Sequence, residues 1–91
     1  MPAISRSVQI TNKRGLHARA SAKFVTLASS QTVEVLVIKD GPAVTGTSIM
    51  GLMMLAAGPG TKITIEAMGK EAAEVIEALT TLVTGKFTEG E

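Results

Sequence analysis

Length, composition and charge limit what this chain can be. Its 91 residues are 45% hydrophobic, which suits one modest core and a single domain over residues 1–91, but not an enzyme cleft between two domains. With 2% aromatic residues and a net charge of +1, it lacks the aromatic platforms and broad basic surface of nucleic-acid-binding proteins. Zero cysteines and one histidine argue against disulfides and against a Cys- or His-built metal site, so we expect no metal and no cofactor.

The sequence also carries no signal of membrane targeting. Residues 1–7 have no apolar core of the kind found in signal peptides, and the longest apolar run, residues 49–57, is far shorter than a membrane span. We therefore expect a cytoplasmic protein that does not enter the membrane.

Three stretches in the first half of the chain alternate between apolar and polar side chains. Residues 3–11, 32–39 and 42–45 follow this pattern, which predicts three β-strands. The second stretch is apolar on both faces, as a central strand is, and the proline that opens the third suits a sheet edge. The Asp-Gly pair at 40–41 predicts a hairpin turn between them.

Two helices are predicted around these strands. Residues 12–15 form a polar loop, after which apolar residues recur at helical spacing over about 16–28. Residues 49–55 form a shorter apolar segment, and Thr47 or Ser48 suits its N-cap.

The last third of the chain predicts one more strand and one more helix. Residues 61–67 alternate again, and residues 70–84 carry an apolar stripe at helical spacing that ends at Gly85, a candidate C′ residue. Residues 86–91 are expected to form a frayed tail. The order β-α-β-β-α-β-α predicts an α+β fold with two layers: a four-stranded antiparallel sheet with three helices on one face.

His17, the only histidine in the chain, lies where the predicted loop meets the first helix. The first amides of a helix have no helical partner, and the helix dipole is positive there, so such an end binds anions. Gly15 lets the backbone approach a ligand, and Arg19 offers donors that match phosphate oxygens. This arrangement predicts a phosphoryl group carried on His17 and stabilised by the Arg19 side chain and by the amides of Ala18 and Arg19.

Two segments resemble the HPr family, the histidine-containing phosphocarriers of the phosphoenolpyruvate-dependent phosphotransferase system. Residues 15–19 (GLHAR) resemble the phospho-acceptor site of the family, and residues 48–53 (SIMGLM) resemble its regulatory serine segment. The separation of the two segments matches the family, and the resemblance covers nearly the whole chain. Ala20 departs from the usual proline, and Arg14 replaces a small polar residue of many relatives, which affects the helix start and partner choice rather than the chemistry.

The resemblance implies an open-faced sandwich and a phosphocarrier rather than an enzyme. It implies that His17 accepts a phosphoryl group on Nδ1 from enzyme I and passes it to an enzyme IIA-type acceptor. It also implies that an HPr serine kinase/phosphorylase acts on Ser48, whose simpler role is that of a helix cap. We expect the carrier to work as a monomer.

The apolar residues of 49–55 are too many for one short helix to bury, which predicts a docking surface for successive partners. With the neighbours that the resemblance implies, this surface consists of Leu16, Ala20, Ile49, Met50, Leu52 and Met53.

Two questions stay open at the level of sequence. The chain could serve sugar uptake or a nitrogen-related regulatory relay. It could also be an interaction module that has kept the fold, lost phosphotransfer and acts through the apolar surface next to Ser48, although intact His17 and Arg19 argue against this.

Overall fold

The computed structural model describes residues 3–29 and 33–88. Within these ranges, seven regular elements follow one another in the predicted order: β1 (Ala3–Gln9), α1 (Ala18–Ser29), β2 (Glu34–Ile38), β3 (Ala43–Thr45), α2 (Ile49–Met54), β4 (Lys62–Met68) and α3 (Ala72–Thr84). A short turn at Lys86–Thr88 follows α3.

The four strands form one antiparallel sheet in the order β1-β4-β2-β3. β2 is therefore an interior strand and β3 an edge strand, and both predictions are confirmed. Val37 of β2 pairs with Ile65 of β4, and both side chains are fully buried on the face that the helices cover. Asp40 and Gly41 adopt the positive φ angles, 52° and 103°, of the predicted hairpin turn.

The core lies between this face of the sheet and the helices, which confirms the two-layer α+β prediction. Each helix contributes side chains with no accessible surface: Phe24 from α1, Leu52 from α2, and Ile76 and Leu79 from α3. This shared core fixes α1 and α2 next to each other, so the segments around His17 and Ser48 are held in one arrangement.

The first helix begins at Ala18, two residues later than the periodicity predicts. Gly15 has a φ of +64°, and the Leu16 amide donates to the Ala57 carbonyl at 2.9 Å. The backbone of Leu16 is thus engaged by another part of the chain and does not enter the helix. The last helix also begins two residues late, at Ala72, because the chain turns at Gly69, whose φ is +136°.

The prediction of a frayed tail over residues 86–91 is wrong for 86–88. Phe87 has no accessible surface, and Lys23 Nζ donates to the Phe87 carbonyl and to Thr88 Oγ1, both at 2.7 Å. Gly85 ends α3 with a φ of −83°, so the left-handed conformation falls instead on 86–88, with φ from 53° to 61°. Burial of the aromatic ring offsets the cost of that conformation. The rest of the predicted tail, 89–91, lies outside the described residues, as does Thr32 of the second predicted strand.

Candidate functional site

Gly15 is packed so tightly against the turn after α2 that no other residue fits. A Cβ atom at this position would lie 2.3 Å from the carbonyl oxygen of Ala57 and 2.8 Å from Cα of Gly58. The φ of +64° independently favours glycine. Gly15 therefore brings two backbone segments into contact, and the close approach that it permits is to the turn after α2.

The backbone that leads into His17 has a hydrogen-bond partner at each carbonyl. Asn12 Nδ2 donates to the Gly15 carbonyl at 2.9 Å, and Ser21 Oγ donates to the Leu16 carbonyl at 3.2 Å. The Ser21 amide donates to the His17 carbonyl at 2.8 Å, which is the first hydrogen bond of α1. Asn12 and Ser21 are fully buried polar residues, so these bonds are protected from water and fix the loop.

His17 occupies the N-cap position of α1 and is half-buried. Because the first helical hydrogen bond comes from Ser21, the amides of Ala18, Arg19 and Ala20 precede the hydrogen-bonded part of the helix. The structure thus places the imidazole at a helix end where anions are stabilised, as the sequence predicts. Ala18 and Arg19 are exposed, so their side of the helix end is open to a partner protein.

Arg19 lines a shallow, largely apolar groove on the outer side of α1. Lys23 and Leu27 of the same helix line it too, and Leu82 and Thr88 form the opposite side. His17 is not among the residues that line this groove.

Ser48 is the N-cap of α2. Its backbone is extended, with φ −118° and ψ 111°, and its Oγ accepts a hydrogen bond from the Gly51 amide at 3.0 Å. The capping role predicted for Ser48 is confirmed. The residue is half-buried, and the exposed residues of α2 begin immediately after it.

The predicted docking surface divides into buried and exposed residues. Ile49, Met50 and Met53 are 41%, 71% and 43% exposed, and Met54, which the prediction omitted, is the most exposed of all at 79%. Leu16, Ala20 and Leu52 are 5%, 0% and 0% exposed. Their inclusion in the docking surface was wrong, because their side chains fill the core between α1 and α2.

The four exposed residues form a continuous apolar surface, since positions i, i+1, i+4 and i+5 lie on one side of a helix. We call this surface the α2 patch; it consists of Ile49, Met50, Met53 and Met54.

Several residues that build the site were not singled out from the sequence. Asn12 appeared only as part of a polar loop, and Ser21 only within the range of the first predicted helix. Ala57 acts through its carbonyl, and no sequence signal marks a backbone acceptor. Of these residues, only Asn12 could have been identified from the sequence, because asparagine side chains commonly form hydrogen bonds with nearby backbone groups in turns.

The described residues contain no helix that is long and apolar enough to cross a membrane.

Comparisons with known proteins agree with this site. The family model described as "PTS HPr component phosphorylation site" matches residues 4–85. The chain is 53% identical to phosphocarrier protein HPr of Neisseria meningitidis serogroup A, over 97% of this chain and 99% of the relative. It is 38% identical to phosphocarrier protein NPr of Shewanella violacea, over 98% of each chain.

A solved structure gives the same result for the fold. The crystal structure of HPr-C-His from Thermoanaerobacter tengcongensis superposes with a TM-score of 0.90 at 38% identity and covers 100% of both chains. The family resemblance and the open-faced sandwich expected from the sequence are both confirmed. The chain therefore belongs to the HPr family and is a phosphocarrier of the phosphotransferase system, a protein that relays phosphoryl groups rather than an enzyme.

Proposed function

We propose that His17 is the residue that carries the phosphoryl group, which it accepts from enzyme I and passes to an enzyme IIA-type protein. The observation that carries this proposal is the position of the only imidazole of the chain at the N-terminus of α1, where the carbonyls of residues 15–17 all accept hydrogen bonds. Phosphoryl transfer depends mainly on positioning and electrostatics, and a fixed backbone with exposed helix amides supplies both.

The proposed chemistry is a pair of in-line displacements. A neutral ring nitrogen of His17, assigned to Nδ1 by the resemblance, attacks the phosphorus of the phosphorylated donor. A P–N bond forms as the bond between phosphorus and the donor breaks, and the donor leaves with the bonding electrons. The acceptor nucleophile then attacks the same phosphorus and releases the imidazole.

Arg19 and the amides of Ala18 and Arg19 are proposed to stabilise the charge on the phosphoryl oxygens. The amides precede the first helical hydrogen bond, and the guanidinium offers several donors that match phosphate oxygens. This chain supplies the nucleophile and part of the electrostatics, and the partner enzyme supplies the rest.

The α2 patch is proposed as the docking surface for enzyme I and the acceptor. Its methionine side chains adapt to more than one partner, and the basic residues Arg14, Arg19 and Lys23 around the first helix favour acidic partner surfaces. Binding through this surface places the partner beside the N-terminus of α1, since α1 and α2 are packed together.

Ser48 is proposed as a regulatory site for a serine kinase. A phosphate on its Oγ adds about −1.5 to −2 charges at the edge of the α2 patch and removes a hydroxyl that caps α2. The added charge weakens docking to an acidic partner, so phosphorylation of Ser48 slows phosphorylation of His17.

Sugar uptake is the favoured branch over a nitrogen-related relay. The chain is 53% identical to a relative called HPr and 38% identical to one called NPr, each over nearly the full length. We propose a monomer that works in the cytoplasm, where phosphoenolpyruvate is formed. Measuring which enzyme I and which acceptor exchange phosphate with the chain fastest distinguishes sugar uptake from the nitrogen-related relay.

Phosphorylation in a reconstituted mixture tests the central proposal. The purified chain is incubated with phosphoenolpyruvate and enzyme I and weighed by intact mass spectrometry, with His17→Ala as the control. We expect one phosphate adduct that is labile in acid and is absent from the variant. An adduct that persists in His17→Ala, or no adduct with several enzymes I, rejects His17 as the acceptor. The absence of an adduct would favour an interaction module that acts through the α2 patch without phosphotransfer. Met50 and Met54, which are 71% and 79% exposed, are accessible to a partner in that case too.

A further inference from the structure

The turn that follows α2 is anchored to the sheet by a lysine. Leu55 ends the helix, its amide donating to the Leu52 carbonyl at 3.2 Å. The carbonyl of Leu55 accepts a hydrogen bond from Lys39 Nζ at 2.9 Å. The last carbonyls of a helix have no helical partner, so Lys39 supplies the donor that this end lacks.

The residue after Leu55 is held in an unfavourable conformation. Ala56 has a φ of 54°, in the left-handed region that residues with a Cβ atom avoid. Such a conformation persists where the surroundings hold it in place. Hydrogen bonds hold the residues on both sides of it. Lys39 Nζ donates to the Leu55 carbonyl, and the Leu16 amide donates to the Ala57 carbonyl, each at 2.9 Å.

The Ala57 carbonyl is where this turn meets the loop before His17. Its oxygen accepts from Leu16 and is also the atom against which Gly15 packs. A displacement of the turn therefore moves the backbone that leads into the imidazole.

We propose that Lys39 is a positioning residue for phosphoryl transfer at His17. By holding the Leu55 carbonyl, it holds the left-handed turn, and the turn keeps the Ala57 carbonyl where the loop needs it. The proposal rests on the function proposed above for His17.

Lys39 is suited to this role because its own backbone is fixed. It follows directly on β2, an interior strand of the sheet, and its amide donates to the Pro42 carbonyl at 3.2 Å across the hairpin. Its side chain is half-buried. The route from the sheet to the His17 loop thus runs through three consecutive residues, 55–57.

The test compares three variants of the full chain: Lys39→Met, Lys39→Arg and Lys62→Met. Methionine keeps the apolar stem of lysine and removes the donor, whereas arginine keeps a donor and the charge. Lys62 is a matched control with the same charge, because it is exposed and lies on the face of β4 opposite to buried Ile63. Two readouts are used: amide hydrogen exchange by NMR, and kcat and KM for phosphorylation by enzyme I.

Exchange of the Leu16 amide is expected to rise about tenfold in Lys39→Met, because the loss of a charged hydrogen bond loosens the turn. Exchange of the Ile65 amide, in the centre of the sheet, is expected to stay unchanged, which separates local loosening from a loss of global stability. The kcat for phosphorylation is expected to fall more than KM rises, since the patch that docks the partner is intact. Lys39→Arg is expected to restore both readouts, and Lys62→Met to alter neither.

Unchanged exchange of the Leu16 amide in Lys39→Met overturns the proposal. Faster exchange with an unchanged kcat also overturns it, since the loop would then move without consequence for transfer. Failure of the parent chain to accept phosphate would reject the proposed function instead. In that case the exchange comparison still decides whether Lys39 holds the loop.

Discussion

The amide of Leu16 donates to the carbonyl of Ala57 at 2.9 Å, so the loop before His17 is built on the turn after α2. This contact joins two segments that are far apart in sequence. It couples the loop before the proposed phospho-acceptor to the turn after α2, so a change that loosens this turn is expected to loosen the loop.

Gly15→Ala tests this contact directly. The added methyl group meets the Ala57 oxygen at 2.3 Å in a left-handed backbone, so we expect the free energy of unfolding to fall by about 2–5 kcal/mol and phosphorylation to slow. Urea unfolding measures the first effect and mass spectrometry the second. Gly60→Ala is the control, because Gly60 has a φ of +87° but open space around it, and we expect about 1 kcal/mol there. Equal losses in the two variants would show that the contact with Ala57 is unimportant.

Arg19→Ala is expected to fold normally and transfer poorly. Arg19 is exposed, so its removal should change the free energy of unfolding by less than about 1 kcal/mol. Removal of a group that stabilises the phosphoryl oxygens should reduce the rate of phosphorylation at least about tenfold. Arg6→Ala is the matched control, because it removes a different arginine that is not part of the proposed site. The guanidinium of Arg6 pairs with the carboxylate of Glu77 on α3 at 2.8 Å. Similar transfer rates for Arg19→Ala and the parent chain would remove the proposed role.

Ser48→Ala is expected to cost about 1 kcal/mol of stability, because the Gly51 amide loses its acceptor at 3.0 Å. Ser48→Asp should retain most of that stability, since a carboxylate also caps a helix. The same Ser48→Asp variant should raise the KM for enzyme I if the partner surface is acidic. Thermal unfolding and steady-state kinetics measure the two effects, and an unchanged KM would count against charge as the means of regulation.

Met54→Ser and Leu52→Ala change two residues of the same helix, but we expect the first to affect partner binding and the second to affect stability. Met54 is 79% exposed, so its replacement should leave the free energy of unfolding within about 0.5 kcal/mol and raise the KM for enzyme I. Leu52 is fully buried, and its truncation should cost about 2–5 kcal/mol. A KM that stays the same in Met54→Ser, with Met50→Ser giving the same result, would place the docking surface elsewhere.

Phe87→Ala is expected to lower the free energy of unfolding by about 3–5 kcal/mol, because a fully buried ring is lost from the core. Thr81→Ala, an exposed change on α3, is the control and should lie within about 0.5 kcal/mol of the parent. Urea unfolding compares the two. A loss below about 1 kcal/mol for Phe87→Ala would revive the prediction of a frayed end.

The sequence by itself determined the order of the elements, the layers and the family. Period-2 and period-3.6 patterns arise from burial of one face, so they reveal strands and helices locally. The Asp-Gly turn, the Ser48 cap and the position of His17 at a helix start are also local features, which is why they were predicted correctly.

Only the tertiary structure decided which residues are buried and which backbone groups meet. The complete burial of Ala20 and Leu52, and the near-complete burial of Leu16, follow from the packing of α1 against α2 and not from the pattern of either segment alone. Phe87 lies beyond the last periodic helix, and its burial depends on the contacts of residues 86–88 with α1 and α3. Gly15 contacts the backbone carbonyl of Ala57. No side chain marks this contact in the sequence, because it forms only when the folded chain brings the two backbone segments together.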